Sequence, residues 1–175
     1  GESFNEVDVG DKPSKIHLLP PLYPEQVSVM DAEYRARLQT LQAVDEMVAR
    51  LVAVLEETDQ LRDTYVIFTS DNGYHLGQHR LPAGKTTAYE EDIHVPFIVR
   101  GPGIPAGRQV DGYLAGNVDI APTLAELAGA ELPDFVEGRS LMPLLRGDPV
   151  DAASWRQAFL LEGYAGGYRS QRGTP

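Results

Sequence analysis

The 175-residue sequence contains no cysteine, so a disulfide framework, a thiolate metal site and a cysteine nucleophile are absent from it. Basic residues are also scarce, since 15 Lys and Arg stand against 26 Asp and Glu, for a formal net charge of −11. Nucleic-acid binding needs clustered cations, so this balance argues against a nucleic-acid partner. No apolar run approaches the roughly 20 residues that span a bilayer, and the first residues lack a signal-peptide pattern. We therefore expect an acidic, soluble chain with no membrane partner.

The hydrophobic content, 42%, is sufficient for a globular core. The longest predicted element is an amphipathic helix that begins with Asp31 as its N-cap and ends near Thr58. Apolar residues recur along it at spacings of three and four, and we expect this stripe to be core: Leu41, Val44, Val48, Leu51 and Leu55.

Several shorter elements follow this helix. Residues 64–69 are an unbroken run of β-branched and aromatic residues, which predicts a strand buried on both faces, as in a parallel sheet covered by helices. Residues 95–99 predict a second strand and residues 158–161 a final one. Asp119 is expected to cap a short helix that stops at Gly129, and residues 140–145 another helical turn before Gly147. This alternation predicts an α/β fold in which the chain supplies part of a larger sheet.

Residues 70–85 lie directly after the first predicted strand, where ligand sites of open α/β sheets are found. Asp71 and Asn72 offer the side-chain oxygens that Ca²⁺ prefers, although a calcium site takes about six to eight oxygens. The alternative for the Asp-Asn-Gly sequence is a tight turn. Four residues of this loop also carry side chains that bind anions: His75, His79, Arg80 and Lys85. Each alone is typical of a loop surface, but their clustering in an acidic chain favours a bound anion.

Two other groups have simpler interpretations. Glu90, Glu91 and Asp92 form an acidic cluster, which we expect to be a solvated turn before a strand. Three aromatic residues near the C-terminus are able to stack on a sugar, but covering apolar surface is their commoner role: Trp155, Tyr164 and Tyr168.

A series of motifs resembles the sulfatase family and occurs in the order found there. In chain order these motifs are Thr69-Ser70-Asp71-Asn72-Gly73-Tyr74-His75-Leu76-Gly77-Gln78-His79, Gly84-Lys85, Tyr89-Glu90-Glu91-Asp92, Val95-Pro96, Arg100-Gly101-Pro102-Gly103 and Asp119-Ile120-Ala121-Pro122-Thr123. Three further motifs resemble the branch of N-acetylglucosamine-6-sulfatases and glycosaminoglycan sulfatases: Phe4-Asn5-Glu6, Asp11-Lys12-Pro13 and Gly138-Arg139-Ser140-Leu141. The resemblance covers residues 4–147.

This resemblance implies an alkaline-phosphatase-like α/β fold, with residues 1–147 as the C-terminal part of the catalytic domain and 148–175 as a terminal extension. It implies hydrolysis of sulfate esters, with sulfated carbohydrates as the expected substrates, and a calcium ion beside a formylglycine. Asp71 and Asn72 would be metal ligands and Lys85 would contact a sulfate oxygen. His75 would touch sulfate or sugar. His79 and Arg80 would contact the substrate, with orientation of the loop as an equal role for His79.

The sequence departs from the family in two important ways. Formylglycine is made in a Cys/Ser-x-Pro-x-Arg motif, and the nearest local run is Asp11-Lys12-Pro13-Ser14-Lys15, which cannot form it. The acidic pair that completes the calcium site in the family is also missing, so we expect the chain alone to be inactive. Two alternatives stay open: part of a phosphodiesterase or phosphonate hydrolase of the same superfamily, and a non-catalytic binding module. The resemblance implies an extracytoplasmic or lysosomal compartment for the parent protein, while the sequence itself leaves compartment and oligomeric state undetermined.

Overall fold

The computed structural model describes residues 2–162. Their helices and strands, in chain order, are α1 (Ser14–His17), α2 (Pro24–Glu57), β1 (Val66–Thr69), α3 (Glu90–Ile93), β2 (Phe97–Arg100), α4 (Ile120–Ala128) and α5 (Met142–Arg146), with 3₁₀ turns at Leu61–Asp63 and Asn117–Asp119. The described residues form two compact units. The first unit contains residues 2–44, 72–95 and 161–162, and the second contains residues 45–71 and 96–160.

The long helix α2 begins at Pro24, seven residues before the predicted start. Proline suits the first helical position because its missing N–H would have no partner inside the helix. Gln26 then reaches back, and its side-chain oxygen accepts a hydrogen bond from the backbone N–H of Tyr23 at 2.9 Å. This is the reciprocal half of a capping box, so Asp31 lies inside the helix and the prediction that it caps the helix is wrong. The predicted end near Thr58 is confirmed.

The apolar stripe of α2 is less covered than its periodicity predicts. Leu41 is 53% exposed and Leu51 is 55% exposed, and Met30 is the buried residue of this helix among the described residues. The core prediction for the stripe is therefore wrong within residues 2–162, because these residues place too few apolar partners along a 34-residue helix. Within residues 2–162, no helix combines the length and the apolar character that crossing a bilayer requires.

The two strands lie in the second unit and pair with each other in the antiparallel direction. Phe68 lies opposite Ile98 in the register, and Thr69 opposite Phe97. Ile98 is 62% exposed and Phe68 is 37% exposed, so one face of this pair is open. The prediction of a parallel strand buried on both faces is wrong for this pair, because β2 returns alongside β1 after the intervening loop. The second strand starts at Phe97 rather than at the predicted residue 95, because Pro96 has no N–H to donate to a neighbouring strand.

The core of the second unit is built around α5 and Trp155. Leu141, Leu144 and Trp155 form its buried cluster, and partly buried residues pack against it: Phe97, Tyr113, Leu145 and Val150. The indole N–H of Trp155 donates to the Leu114 carbonyl at 2.8 Å, and its ring meets that of Tyr113 edge-on. The interpretation of Trp155 as a residue that covers apolar surface is confirmed. Tyr164 and Tyr168 lie outside the described residues.

Both helix stops predicted at glycine are confirmed. Gly129 ends α4 with φ of 64° and Gly147 ends α5 with φ of 87°, the left-handed conformation that glycine adopts without a Cβ clash. The strand predicted at residues 158–161 is wrong, because the structure shows irregular backbone there.

Asp119 precedes α4 as predicted, but its side chain does not cap that helix. The carboxylate is fully buried and accepts hydrogen bonds from the backbone N–H of Gly116 at 2.9 Å and of Arg139 at 2.8 Å. Arg156 binds it through both terminal nitrogens, with Nη2 2.7 Å from Oδ1. Asp119 thus links three segments of the second unit.

Candidate functional site

The loop after β1 is anchored from residue 73 onward by the short helix α3. The backbone N–H of Gly73 donates to the Asp92 carbonyl at 2.8 Å, and that of Tyr74 donates to the Glu91 carbonyl at 2.7 Å. A Cβ at position 73 would lie 2.0 Å from the Glu91 carbonyl oxygen, so this close approach requires glycine. The Asn72-Gly73 sequence suggested a turn, but its glycine instead allows the loop to pack against α3.

Gly73→Ala is expected to lower the free energy of unfolding by about 1–3 kcal/mol, the usual cost of overpacking, because the obstructing atom is backbone. Gly10→Ala is the matched control: its nearest neighbour is the end of the flexible Asp8 side chain, 2.9 Å away. Urea unfolding of both variants and of the unsubstituted protein provides the comparison. Equal losses in the two variants would contradict the contact between the loop and α3.

His75 is buried inside this loop, with 4% of its surface exposed. Its Nδ1 lies 2.9 and 3.0 Å from the two carboxylate oxygens of Asp92. A carboxylate accepts only, so Nδ1 carries the proton and donates it to Asp92. The backbone of His75 also exchanges two hydrogen bonds with Gly84, at 2.9 and 3.0 Å. The imidazole is therefore fixed in both orientation and tautomer.

Asp92 is the buried partner of His75 that sequence reasoning missed. It was expected to be solvated, yet it is 3% exposed and accepts hydrogen bonds from the backbone N–H and the hydroxyl of Thr87, both at 2.7 Å. Burial raises the pKa of Asp92, but the hydrogen bonds from Thr87 and His75 outweigh it and hold the pKa below its ordinary value. Three adjacent acids are equivalent in sequence, and only the orientation of α3 selects the buried one.

Lys85 and Asn72 are the two predicted site residues that the first unit brings into contact. The ammonium Nζ of Lys85 donates to the Asn72 side-chain oxygen at 3.1 Å, and the Asn72 amide donates to the Gly73 carbonyl at 2.8 Å. Lys85 is exposed, so its charge is available to a bound anion. The loop thus holds an ammonium group and a side-chain carbonyl oxygen in direct contact.

Asp71 belongs to the second unit. Its side-chain oxygen lies 3.4 Å from the Ser70 hydroxyl, and Asn117 donates its side-chain N–H to the Ser70 carbonyl at 3.1 Å. The end of β1 is therefore held by the turn that precedes α4, which fixes the backbone from which the Asp71 carboxylate projects.

His79 and Arg80 bind the N-terminal segment of the first unit. Nδ1 of His79 lies 2.7 Å from a carboxylate oxygen of Glu6, and its ring is tilted by 34° against that of Tyr89, with the ring centroids 4.0 Å apart. The Arg80 guanidinium donates to the backbone carbonyls of Glu6, Val7 and Leu19 at 2.8, 2.6 and 3.0 Å. Both residues have positive φ, a conformation that these contacts maintain. The structure therefore shows both side chains bound to the N-terminal segment of the first unit.

The chemistry of the described residues fits a hard cation only in part. Asp71 and Asn72 are consecutive in the sequence and each carries a side-chain oxygen, which is the ligand type that Ca²⁺ prefers. Within residues 2–162 no group of three or more His, Cys, Asp or Glu side chains is arranged to hold a metal ion. A complete calcium shell of about six to eight oxygens would need donors from other segments.

Comparison with known proteins identifies relatives across most of the chain. The family model described as Sulfatase matches residues 8–130. Sulfatase ppz1 of Metarhizium majus is 52% identical over 72% of the chain and 30% of its own length. Human N-acetylglucosamine-6-sulfatase is 43% identical over 81% of the chain and 25% of its length. The extracellular sulfatase SULF-1 homolog of Drosophila melanogaster is 38% identical over 91% of the chain and 14% of its length.

Solved structures give the same result. BT4656, determined in complex with its substrate D-glucosamine-2-N,6-O-disulfate, is 40% identical, with a TM-score of 0.61 over 67% of the chain and 24% of its own. The phosphonate monoester hydrolase of Silicibacter pomeroyi is 39% identical, with a TM-score of 0.60 over 65% of the chain and 22% of its own. These similarities confirm the predicted fold class as part of an alkaline-phosphatase-like α/β fold. The chain spans less than a third of the length of these relatives.

Proposed function

Because the chain belongs to the sulfatase family, we propose that it is the C-terminal part of a sulfatase that hydrolyses sulfate esters of sugars. The observation that carries the proposal is the contact between the Lys85 ammonium and the Asn72 oxygen, 3.1 Å apart, directly after β1. The Lys85 ammonium supplies the positive charge that a bound sulfate would need. The Asn72 side-chain oxygen supplies the kind of ligand that a hard cation would need. Relatives that include an N-acetylglucosamine-6-sulfatase and a structure with a sulfated glucosamine support a sulfated sugar as substrate.

In the proposed site Lys85 neutralises charge on the sulfuryl oxygens as the ester bond breaks. Asp71 and Asn72 would hold a calcium ion, which supplies Lewis-acid stabilisation of the same oxygens when bound. His75, held by Asp92, would face the sulfate or the sugar. His79 and Arg80 would shape the loop and line its substrate side. The sequence encodes neither Cys nor a Ser-x-Pro-x-Arg motif for a formylglycine, so in this proposal the chain alone is inactive.

The test is an assay of the full-length protein that carries this chain. Sulfate release from glucosamine 6-sulfate is measured beside hydrolysis of a phosphate monoester and a phosphonate monoester under the same conditions. A preference for the sulfate ester supports the proposal. Hydrolysis confined to the phosphorus esters would overturn it.

The second candidate function is phosphonate or phosphodiester hydrolysis. It is favoured by the similarity to a phosphonate monoester hydrolase, whose identity of 39% is close to that of BT4656 at 40%. The same lysine and oxygen donors would serve a phosphoryl group, because both esters present anionic oxygens around a tetrahedral centre. The residue at the nucleophile position of the full-length protein discriminates: a Thr, or a Ser outside the Cys/Ser-x-Pro-x-Arg motif, would favour phosphorus esters.

Asp71→Ala is expected to weaken Ca²⁺ binding by the full-length protein at least about tenfold, which is the lower end of the loss seen for outer-shell residues. The substitution removes a charged ligand. Isothermal titration with Ca²⁺ measures the change, and Asp111→Ala, at an exposed acid of the second unit, serves as the control. Unchanged affinity for Asp71→Ala would remove this residue from the proposed metal site.

We also propose an extracytoplasmic compartment, extracellular or lysosomal, for the full-length protein. The support is a relative described as an extracellular sulfatase homolog. Fractionation of cells that express the full-length protein tests this, and retention in the cytosol would contradict it.

A further inference from the structure

A single buried carboxylate holds the loop on both sides of Lys85. Asp92 accepts hydrogen bonds from Thr87, two residues after the lysine, through the backbone N–H and the hydroxyl, both at 2.7 Å. It also accepts one from Nδ1 of His75 at 2.9 Å. The backbone of His75 is paired with Gly84, the residue before the lysine, at 2.9 and 3.0 Å. The positions on either side of Lys85 are therefore both fixed relative to Asp92.

The short helix α3 also anchors the segment that follows Asn72, the residue that accepts the hydrogen bond from Lys85. Through its backbone, α3 binds Gly73 and Tyr74 at 2.8 and 2.7 Å, immediately after Asn72. Lysine has a flexible four-carbon stem, so the place of its ammonium group depends on how firmly its backbone is held. The 3.1 Å contact from Lys85 to Asn72 thus joins two segments that are both anchored on α3.

We propose that Asp92 is a positioning residue, which acts through His75 and Thr87 to set where the Lys85 ammonium stands beside Asn72. The inference rests on the proposed function only for the role of Lys85 in turnover. Asp92 itself touches no substrate in this proposal. Its neighbours Glu90 and Glu91 do not share the role: Glu90 is exposed and faces His94, and Glu91 accepts a hydrogen bond from Ser3.

Asp92→Asn is a suitable probe because it preserves the shape of the side chain and changes its hydrogen bonding. A carboxylate accepts from all three donors, whereas an amide has one accepting oxygen and a donating NH₂ group. In the variant either His75 or Thr87 faces a donor, so His75 must change tautomer or one attachment of the loop is lost. The substitution therefore loosens the loop around Lys85 without opening a cavity.

The first experiment is a double-mutant cycle in the full-length protein with Asp92→Asn, Lys85→Ala and the double variant. Asp92→Asn is expected to lower kcat about 10–100-fold, the loss typical of residues that orient a first-shell group, with a much smaller change in KM. In the Lys85→Ala background the same substitution should cost far less, because its target is gone. Glu90→Gln, on the same helix, should leave kcat unchanged. Losses that multiply in the double variant would overturn the proposal.

Thr87 gives a second pair of variants that does not depend on how Asp92→Asn folds. Thr87→Val keeps the size of the side chain and removes the hydroxyl that binds Asp92, whereas Thr87→Ser restores it. We expect kcat to fall in Thr87→Val and to recover in Thr87→Ser. Equal kcat in the two variants, whether high or low, would contradict the proposal.

A measurement without turnover separates this inference from the proposed function. Acetylation by acetic anhydride, followed by mass spectrometry, reports how well each lysine is held. Lys85 should react several-fold faster in Asp92→Asn than in the parent protein, with exposed Lys15 as the internal reference. If the parent hydrolyses no sulfate ester, the proposed function fails and this measurement still decides the positioning role. An unchanged relative rate at Lys85 would overturn it.

Discussion

If the proposed function holds, replacing Lys85 with alanine in the full-length protein is expected to lower kcat by about 10²–10³-fold, the loss that follows removal of one charge-stabilising donor. The ammonium group lies in an exposed part of the loop beside Asn72. In the proposed mechanism its charge stabilises the negative charge that develops on the sulfuryl oxygens in the transition state, so KM should change much less than kcat. The comparison requires kcat and KM on a sulfated sugar.

The same variant should unfold at nearly the same urea concentration as the parent, because an exposed lysine contributes little to stability. Lys15→Ala, at another exposed lysine of the first unit, is the matched control and should leave both kcat and stability unchanged. A large loss of stability with normal kcat in Lys85→Ala would refute the assignment of Lys85 to the site.

Asp119→Ala is expected to lower the free energy of unfolding by about 3–5 kcal/mol, the cost of breaking a buried ion pair from one side. The substitution leaves the Arg156 guanidinium and the backbone N–H groups of Gly116 and Arg139 without their acceptor. Glu126→Ala is the control, because Glu126 pairs with Arg146 at 3.1 Å on the surface, where such pairs contribute about 0–1 kcal/mol. Urea unfolding at neutral pH measures both, and similar losses would contradict the role given to Asp119.

The effect of Asp119 on stability should also depend on pH. Burial raises the pKa of Asp119, but the hydrogen bonds from Arg156, Arg139 and Gly116 outweigh it, so the folded pKa lies below the ordinary 3.8. Its contribution is therefore complete above the unfolded pKa and is lost as pH falls through the folded pKa. The deficit of Asp119→Ala should be constant from pH 7 to pH 5 and should shrink below pH 3.8. A deficit that grows on acidification would contradict this linkage.

Local patterns predicted the elements whose determinants are close in the sequence. The helix stops at Gly129 and Gly147 each follow from the backbone freedom of a single glycine. The end of α2 follows from the end of its apolar periodicity. The start of α2 was missed because Gln26, rather than an N-cap side chain, forms the capping bond. The direction and the burial of β1 were also missed, because an apolar run leaves open both the pairing partner of a strand and what covers its faces.

The candidate site likewise contains residues that local motifs identify and residues whose surroundings depend on long-range contacts. The order of motifs identified the family, and Asp71, Asn72, His75 and Lys85 could be named because each belongs to a motif of the loop. Their roles stay predictions. Asp92 could not be found, because its partners His75 and Thr87 are distant or unremarkable in sequence and only the folded loop brings them to one carboxylate. His79 and Arg80 looked like anion-binding residues, and their attachment to residues 6–19 depends on long-range contacts of the same kind.

The open face of the β1 and β2 pair has a practical consequence for making the protein. Within residues 2–162 this ladder has only two strands, with Phe68 and Ile98 side by side on the exposed face. Unpaired strand edges beside apolar side chains recruit strands from other molecules. Recombinant material limited to these 175 residues should self-associate as its concentration rises.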